Sequence, residues 1–172
     1  MLFARTSSAP PHLGLAEAPA FDPEDVPCDE TRALLPRGEI LKCGVAAGAA
    51  RHGYYLYLPR SAPTATRMFV TVHGISRNAR EHVRRFAPFA EAAGVIIVAP
   101  RFPAARYPDY QRLGRDDRGA RADHALLAIL AQVAARCGAD GEQLYLFGYS
   151  GGAQFVHRFA MAYPRRVARY AV

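Results

Sequence analysis

From Met68 onward the chain alternates short apolar runs with helix-length segments, and this alternation limits its possible folds more than any other feature. Met68-Phe69-Val70-Thr71-Val72 and Gly94-Val95-Ile96-Ile97-Val98-Ala99 are compact and apolar, as strands buried on both faces are. A helix-like stretch from Arg80 to Ala93, interrupted at Pro88, separates them and completes one βαβ unit. Leu126, Leu130, Val133 and Cys137 then recur at helical spacing, with Asp123 as expected N-cap and Gly138 as stop, which predicts a helix over 121–137. Gln143 to Phe147 predicts a third strand, Gly151 to Tyr163 a helix ended by Pro164, and Val167 to Val172 a further strand. Strands alternating with crossover helices require a parallel sheet covered on both faces, so the fold class is α/β with a mostly parallel sheet. Ahead of it, Glu39 to Val45 and Tyr54 to Leu58 predict a strand pair forming an antiparallel edge, joined through the small residues 46–53.

Residues 1–37 have a different texture, rich in Ala and acidic residues and interrupted by Pro10, Pro11, Pro19, Pro23, Pro27 and Pro36. They predict an irregular arm ahead of one domain over 38–172. A chain of 172 residues, 51% of them apolar, has material for one core. The net charge of +7 is carried almost wholly by scattered arginines, Lys42 being the one lysine. No aromatics interleave with them as a base-stacking surface requires, so neither nucleic acid nor a membrane is the expected partner. Cys28, Cys43 and Cys137 are odd in number and lack metal-ligand spacing, which predicts reduced thiols and no metal site. No motif implies a cofactor, and the lack of a basic-then-apolar N-terminal segment or a run near twenty apolar residues predicts a cytoplasmic location.

The chemistry-bearing motif is Gly148-Tyr149-Ser150-Gly151-Gly152, a GxSxG pentapeptide between a strand run and a helix run. A sharp strand-to-helix turn with glycines beside it lifts a serine hydroxyl clear of the sheet edge, which suits a nucleophile. The competing reading is a serine that only caps the following helix. His73-Gly74-Ile75-Ser76 follows the first central strand. There Gly74 permits a close backbone path, so the N–H of Ile75 can join that of Gly151 in stabilising an oxyanion. His73 is read as bracing this loop, and His12, His52, His82 and His124 as surface or helix residues. Segment 101–119 lacks periodicity and leaves the carboxyl end of a strand, where it could line a substrate mouth. Phe102, Tyr110 and Tyr149 are the expected rim.

Taken together, Val70-Thr71-Val72-His73-Gly74, Val98-Ala99-Pro100 and Leu146-Phe147-Gly148-Tyr149-Ser150-Gly151-Gly152 resemble the α/β-hydrolase superfamily. They resemble especially the branch that holds esterases related to polyhydroxybutyrate depolymerases and feruloyl esterases. The resemblance spans about Glu39 to Val172 and implies Ser150 as nucleophile, Gly151 and Ile75 as oxyanion donors, and Gly148, Gly152, His73 and Gly74 as the framework. It also implies an acid and a histidine after the nucleophile strand. No Asp or Glu follows Ser150, and the one later histidine, His157, lies seven residues on, about 10 Å along a helix axis.

The expectation is therefore a partial hydrolase core without its last strands and final helix, whose base and acid lie beyond residue 172. Such a chain is nearly inactive as it stands, because serine at its ordinary acidity needs an adjacent base. The expected reaction is hydrolysis of a small-molecule ester, with acyl transfer to another acceptor also open. The alternative is a noncatalytic or inactive hydrolase-like binding module or fragment.

Overall fold

A computed structural model describes residues 35–61, 67–114 and 119–172. It forms a six-stranded sheet with three helices. In chain order the elements are β1 (Ile40–Ala47), β2 (Ala50–Tyr57), β3 (Arg67–Val72), α1 (Ala79–Ala93), β4 (Ile96–Pro100), a 3₁₀ turn (Tyr110–Arg112), α2 (Ala122–Cys137), β5 (Asp140–Gly148), α3 (Gly151–Ala162), a 3₁₀ turn (Pro164–Arg166) and β6 (Val167–Ala171). Across the sheet the strands lie in the order β1-β2-β4-β3-β5-β6. β2 runs antiparallel to both neighbours, while β4, β3, β5 and β6 are mutually parallel. Most of the expected 1–37 arm and Cys28 lie outside the described residues.

The apolar runs divide between two faces by strand alternation. Met68, Val70 and Val72 of β3 and Ile96 and Val98 of β4 enter one buried cluster with Ala125, Leu126, Ile129, Leu130 and Val133 of α2 and Phe155, Val156 and Phe159 of α3. Ile97 and Ala99 of β4 enter the other, beneath Ala79, Val83 and Ala90 of α1. Both faces are thus covered, as expected for parallel strands.

Local details depart from the sequence reading where tertiary or turn geometry overrules pattern. The edge hairpin is longer than expected: its strands pair from Ile40↔Tyr57 to Ala47↔Ala50, so Gly48 and Ala49 alone make the turn. Helix α1 runs unbroken through Pro88. Pro88 lies on the exposed side, where water can satisfy the carbonyl left without an N–H partner. Gly94 is the left-handed cap of α1, its N–H donating to the Ala90 carbonyl, rather than the start of β4. Asp123 does not cap α2. Arg121 holds the N-cap position, and the fully buried Asp123 carboxylate accepts from Arg121 at 2.9 and 2.6 Å and from the Tyr163 hydroxyl at 2.7 Å. Burial alone would raise the pKa of Asp123, but the Arg121 and Tyr163 hydrogen bonds outweigh it and hold the group below its usual range.

The topology positions the site. β3 leads through α1 to β4 on one side, and β5 leads through α3 to β6 on the other. Chain connections therefore leave the neighbouring carboxyl ends of β3 and β5 in opposite directions, opening a crevice where α/β sheets place ligands. The register pairs Val72 with Gly148, so the His73-Gly74 turn and the Tyr149-Ser150 turn emerge side by side.

Candidate active site

Ser150 joins β5 to α3 at φ 55° and ψ −115°, a left-handed backbone that L-residues rarely adopt. Two glycines allow that bend by close approach. A Cβ on Gly148 would stand 2.2 Å from the Gly152 carbonyl oxygen, and one on Gly152 would stand 2.1 Å from the Val72 carbonyl oxygen. Backbone lies against backbone at both places, so no side-chain movement could make room for a methyl group. Ser150 is exposed and, although it holds the N-cap position of α3, makes no capping hydrogen bond with its side chain. Its hydroxyl is thus not used in finishing the helix, contrary to the competing cap reading.

The second turn packs directly on the first. A Cβ on Gly74 would lie 3.3 Å from the Tyr149 carbonyl oxygen and 3.5 Å from the Ser150 Cβ, and one on Gly151 would lie 3.4 Å from the Ile75 Cγ2. The turn itself closes with the Arg77 N–H donating to the Gly74 carbonyl at 3.1 Å. Residues 74, 75, 150 and 151 therefore share one corner of the molecule. Gly151 opens α3, where the first N–H groups have no helical acceptor. Among the described residues neither its N–H nor that of Ile75 donates to a backbone carbonyl.

His73 is fully buried behind this corner. Its Nε2 accepts from the Phe102 N–H at 3.2 Å, and since that partner can only donate, the ring proton sits on Nδ1, which donates to the Gly74 carbonyl at 2.9 Å. Burial, reinforced by the Arg77 charge and opposed by the hydrogen bond to Gly74, lowers its pKa to about 4. Both ring nitrogens are hydrogen-bonded to backbone groups. His82 lies in a helix, as the surface-or-helix reading allowed, but on its buried side, whereas His52 is neither a surface nor a helix residue and sits buried in β2. His52 is buried with Nδ1 2.5 Å from the Tyr107 hydroxyl, and His82 is buried with Nδ1 2.8 Å from the Thr71 hydroxyl. His124 and His157 are exposed, His157 lying 6.2 Å between ring centroids from Tyr170.

The expected aromatic rim is divided. Tyr149 is 67% exposed beside Ser150, but Phe102 and Tyr110 are 1% and 0% exposed and belong to the core. Phe102 packs at 5.1 Å on Tyr107, 5.5 Å on Tyr110, 5.3 Å on Phe155 of α3 and 5.8 Å on His73. This cluster is a floor under the two turns, not a substrate wall. Burying large rings outweighs lining a mouth, since each contributes on the order of 2–3 kcal/mol when removed from water. Arg77, absent from the sequence reading, ties that floor to the turn: its guanidinium donates to the Phe102 and Tyr107 carbonyls and lies 4.6 Å from the Tyr110 ring centroid. No local pattern distinguishes it from the other arginines.

Beside Tyr149 an open groove of about 420 Å³ is lined by Asn78, His82, Arg85, Phe86 and Phe147. Among the described residues no cluster of three or more His, Cys, Asp or Glu is placed to hold a metal, and no helix is long and apolar enough to cross a membrane.

No protein-family model and no curated protein sequence matches the chain. Solved structures do. The poly(aspartic acid) hydrolase-1 of Sphingomonas sp. KT-1 is similar over 78% of this chain and 56% of its own, with a TM-score of 0.67 and 22% identity. The poly(3-hydroxybutyrate) depolymerase of Bordetella parapertussis is similar over 70% of this chain and 46% of its own, with a TM-score of 0.60 and 26% identity. The acetyl xylan esterase of Aspergillus awamori reaches a TM-score of 0.64 at 19% identity, over 78% of this chain and 51% of its own. The chain thus spans about half the length of the proteins it matches. Over that span the likeness is one of fold, and the chain has the α/β-hydrolase fold.

Proposed function

We propose that this chain carries the nucleophile half of a serine hydrolase acting on small carboxylic esters. In this reading the Ser150 Oγ attacks the ester carbonyl carbon and forms a new C–O bond. Its proton passes to a base, and the carbonyl oxygen, now negative, accepts from the N–H groups of Gly151 and Ile75. Collapse of that intermediate breaks the bond to the leaving alcohol, which takes the proton. Water then attacks the acyl-serine in the same way and releases the acid. In this reading the base and its orienting acid lie outside the described residues, and His73 acts only as a brace.

The observation that carries this reading is the strained, exposed Ser150, at φ 55° and without a capping bond, packed against the Gly74 turn. Strain of this kind costs roughly 1–3 kcal/mol and persists where function requires a side chain to be presented. The names of the similar structures, two hydrolytic enzymes of polymers and an esterase, support the reaction class. Tyr149 and the groove floored by Phe86 and Phe147 favour an apolar ester over a highly charged one.

Labelling of the full-length protein by a fluorophosphonate tests the proposal. Covalent modification of Ser150, abolished by Ser150→Ala, is expected. A folded full-length protein whose Ser150 does not react would instead identify a noncatalytic binding module built on the same fold.

A further inference from the structure

We infer that Arg77 and Tyr110 are positioning residues for the oxyanion site, holding the Gly74–Arg77 turn at a set distance from the first residue of α3. The inference rests on the reading of Ser150 as nucleophile with Ile75 and Gly151 as donors.

Arg77 stands at φ 58°, a left-handed conformation that disfavours any residue with a Cβ. In that conformation its guanidinium reaches three targets at once: the carbonyl of Phe102, the carbonyl of Tyr107 at 3.1 Å, and the face of the Tyr110 ring at 4.6 Å. One guanidinium nitrogen donates to both carbonyls while the central guanidinium carbon lies over the Tyr110 ring, so the extended charged group occupies two positions that the single charged nitrogen of a lysine cannot fill together. The segment after β4 is thereby fastened to the turn after β3.

Tyr110 passes the constraint on. Its ring is fully buried, and its hydroxyl donates to the His73 carbonyl at 3.0 Å. That same oxygen would lie 2.6 Å from a Cβ on Gly151. One phenolic oxygen therefore touches both sides of the crevice, at the peptide leading into Gly74 and Ile75 and at the backbone of Gly151. His73 closes the loop from below through the Phe102 N–H and the Gly74 carbonyl. The spacing of the two amides is thus set by a closed circuit of buried contacts. Donors to an oxyanion act only when held within about 0.5 Å of their productive positions.

The test compares Tyr110→Phe, which deletes one oxygen, with Arg77→Met and Arg77→Lys in the full-length protein. Active sites are counted by fluorophosphonate titration. Turnover of p-nitrophenyl acetate is measured together with inhibition by a trifluoromethyl ketone, whose hemiketal oxygen occupies the oxyanion position. The expected result is a fall in kcat of about tenfold or more, less than the 100- to 1000-fold typical of losing a donor outright. KM should stay within about twofold and ketone affinity should fall in step with kcat/KM. Arg77→Lys should not restore kcat. Unchanged kcat per active site in Tyr110→Phe, with only a lowered melting temperature, would overturn the inference, as would a lower kcat with ketone affinity intact. If Arg77→Met does not fold, Tyr110→Phe decides the matter alone. Labelling that survives Ser150→Ala would overturn the nucleophile reading itself, a result distinguishable because it involves neither Arg77 nor Tyr110.

Discussion

The Gly152 Cα lies so close to the Val72 carbonyl oxygen that an added Cβ would stand 2.1 Å from it. This contact joins the first turn of α3 to the end of β3 and explains why the serine turn and the His73-Gly74 turn lie against each other. It also makes the geometry of Ser150 testable without any knowledge of substrate.

Gly152→Ala and Gly148→Ala should each destabilise the fold by about 3 kcal/mol or more, because the atoms in the way are backbone and cannot rotate aside. Gly141→Ala, whose Cβ would meet the Ala134 Cβ at an ordinary 3.5 Å, should change stability by less than about 1 kcal/mol. Urea denaturation of the three variants measures the contrast. Equal effects at all three positions would contradict the close approach at the elbow.

Ser150→Gly should raise stability by about 1 kcal/mol, since glycine adopts φ 55° without the Cβ penalty. Ser150→Ala should leave stability within about 0.5 kcal/mol, because no capping hydrogen bond is lost. A loss near 1 kcal/mol in Ser150→Ala, the usual effect of deleting an N-cap, would restore the capping reading.

Acid should destabilise the chain in a defined window. Burial above all lowers the pKa values of His52 and His73 from 6.5 to about 4, with the nearby charges of Arg106 and Arg77 respectively reinforcing it. Below pH 6.5 the unfolded chain takes up protons that the folded chain refuses until about pH 4. Stability therefore declines as pH falls across that interval and is flat for these groups above it. The decline from His73 is on the order of 3 kcal/mol. Denaturation midpoints measured from pH 7 to pH 4 check the sign, and His52→Gln should make the slope shallower. Asp123, held below its usual 3.8, adds its own loss only at still lower pH.

Removing the Asp123 carboxylate strips partners from Arg121 and from the Tyr163 hydroxyl at the end of α3. Asp123→Ala should cost about 2–3 kcal/mol and Tyr163→Phe about 1 kcal/mol. Thermal melts of the single and double variants should show non-additive losses, since both touch one network. Strict additivity would show that the Asp123–Tyr163 bond contributes nothing of its own.

The parallel core, the covered faces and the serine turn were legible in the sequence because each rests on local chemistry. Short apolar β-branched runs such as Ile96 to Val98 suit buried strands, Leu126 to Val133 repeats at the helical period, and two glycines bracket a serine between a strand and a helix. Position in space was legible only where an element's own pattern dictated it. Nothing in the run of residues 101–114 says that Phe102 and Tyr110 turn inward as a floor while Tyr149 stays outside. That choice depends on which rings can pack on Phe155 and His73 across the crossover. Nor does any local signal mark Arg77, whose partners lie 25 and 30 residues away, or move Asp123 from a cap to a buried ion pair. Sequence by itself determined the elements and the motif, since backbone propensity and solvent exclusion act over a few residues. Only the tertiary structure decided what supports the motif, because burial and hydrogen-bond satisfaction are settled between segments that meet only in the folded state.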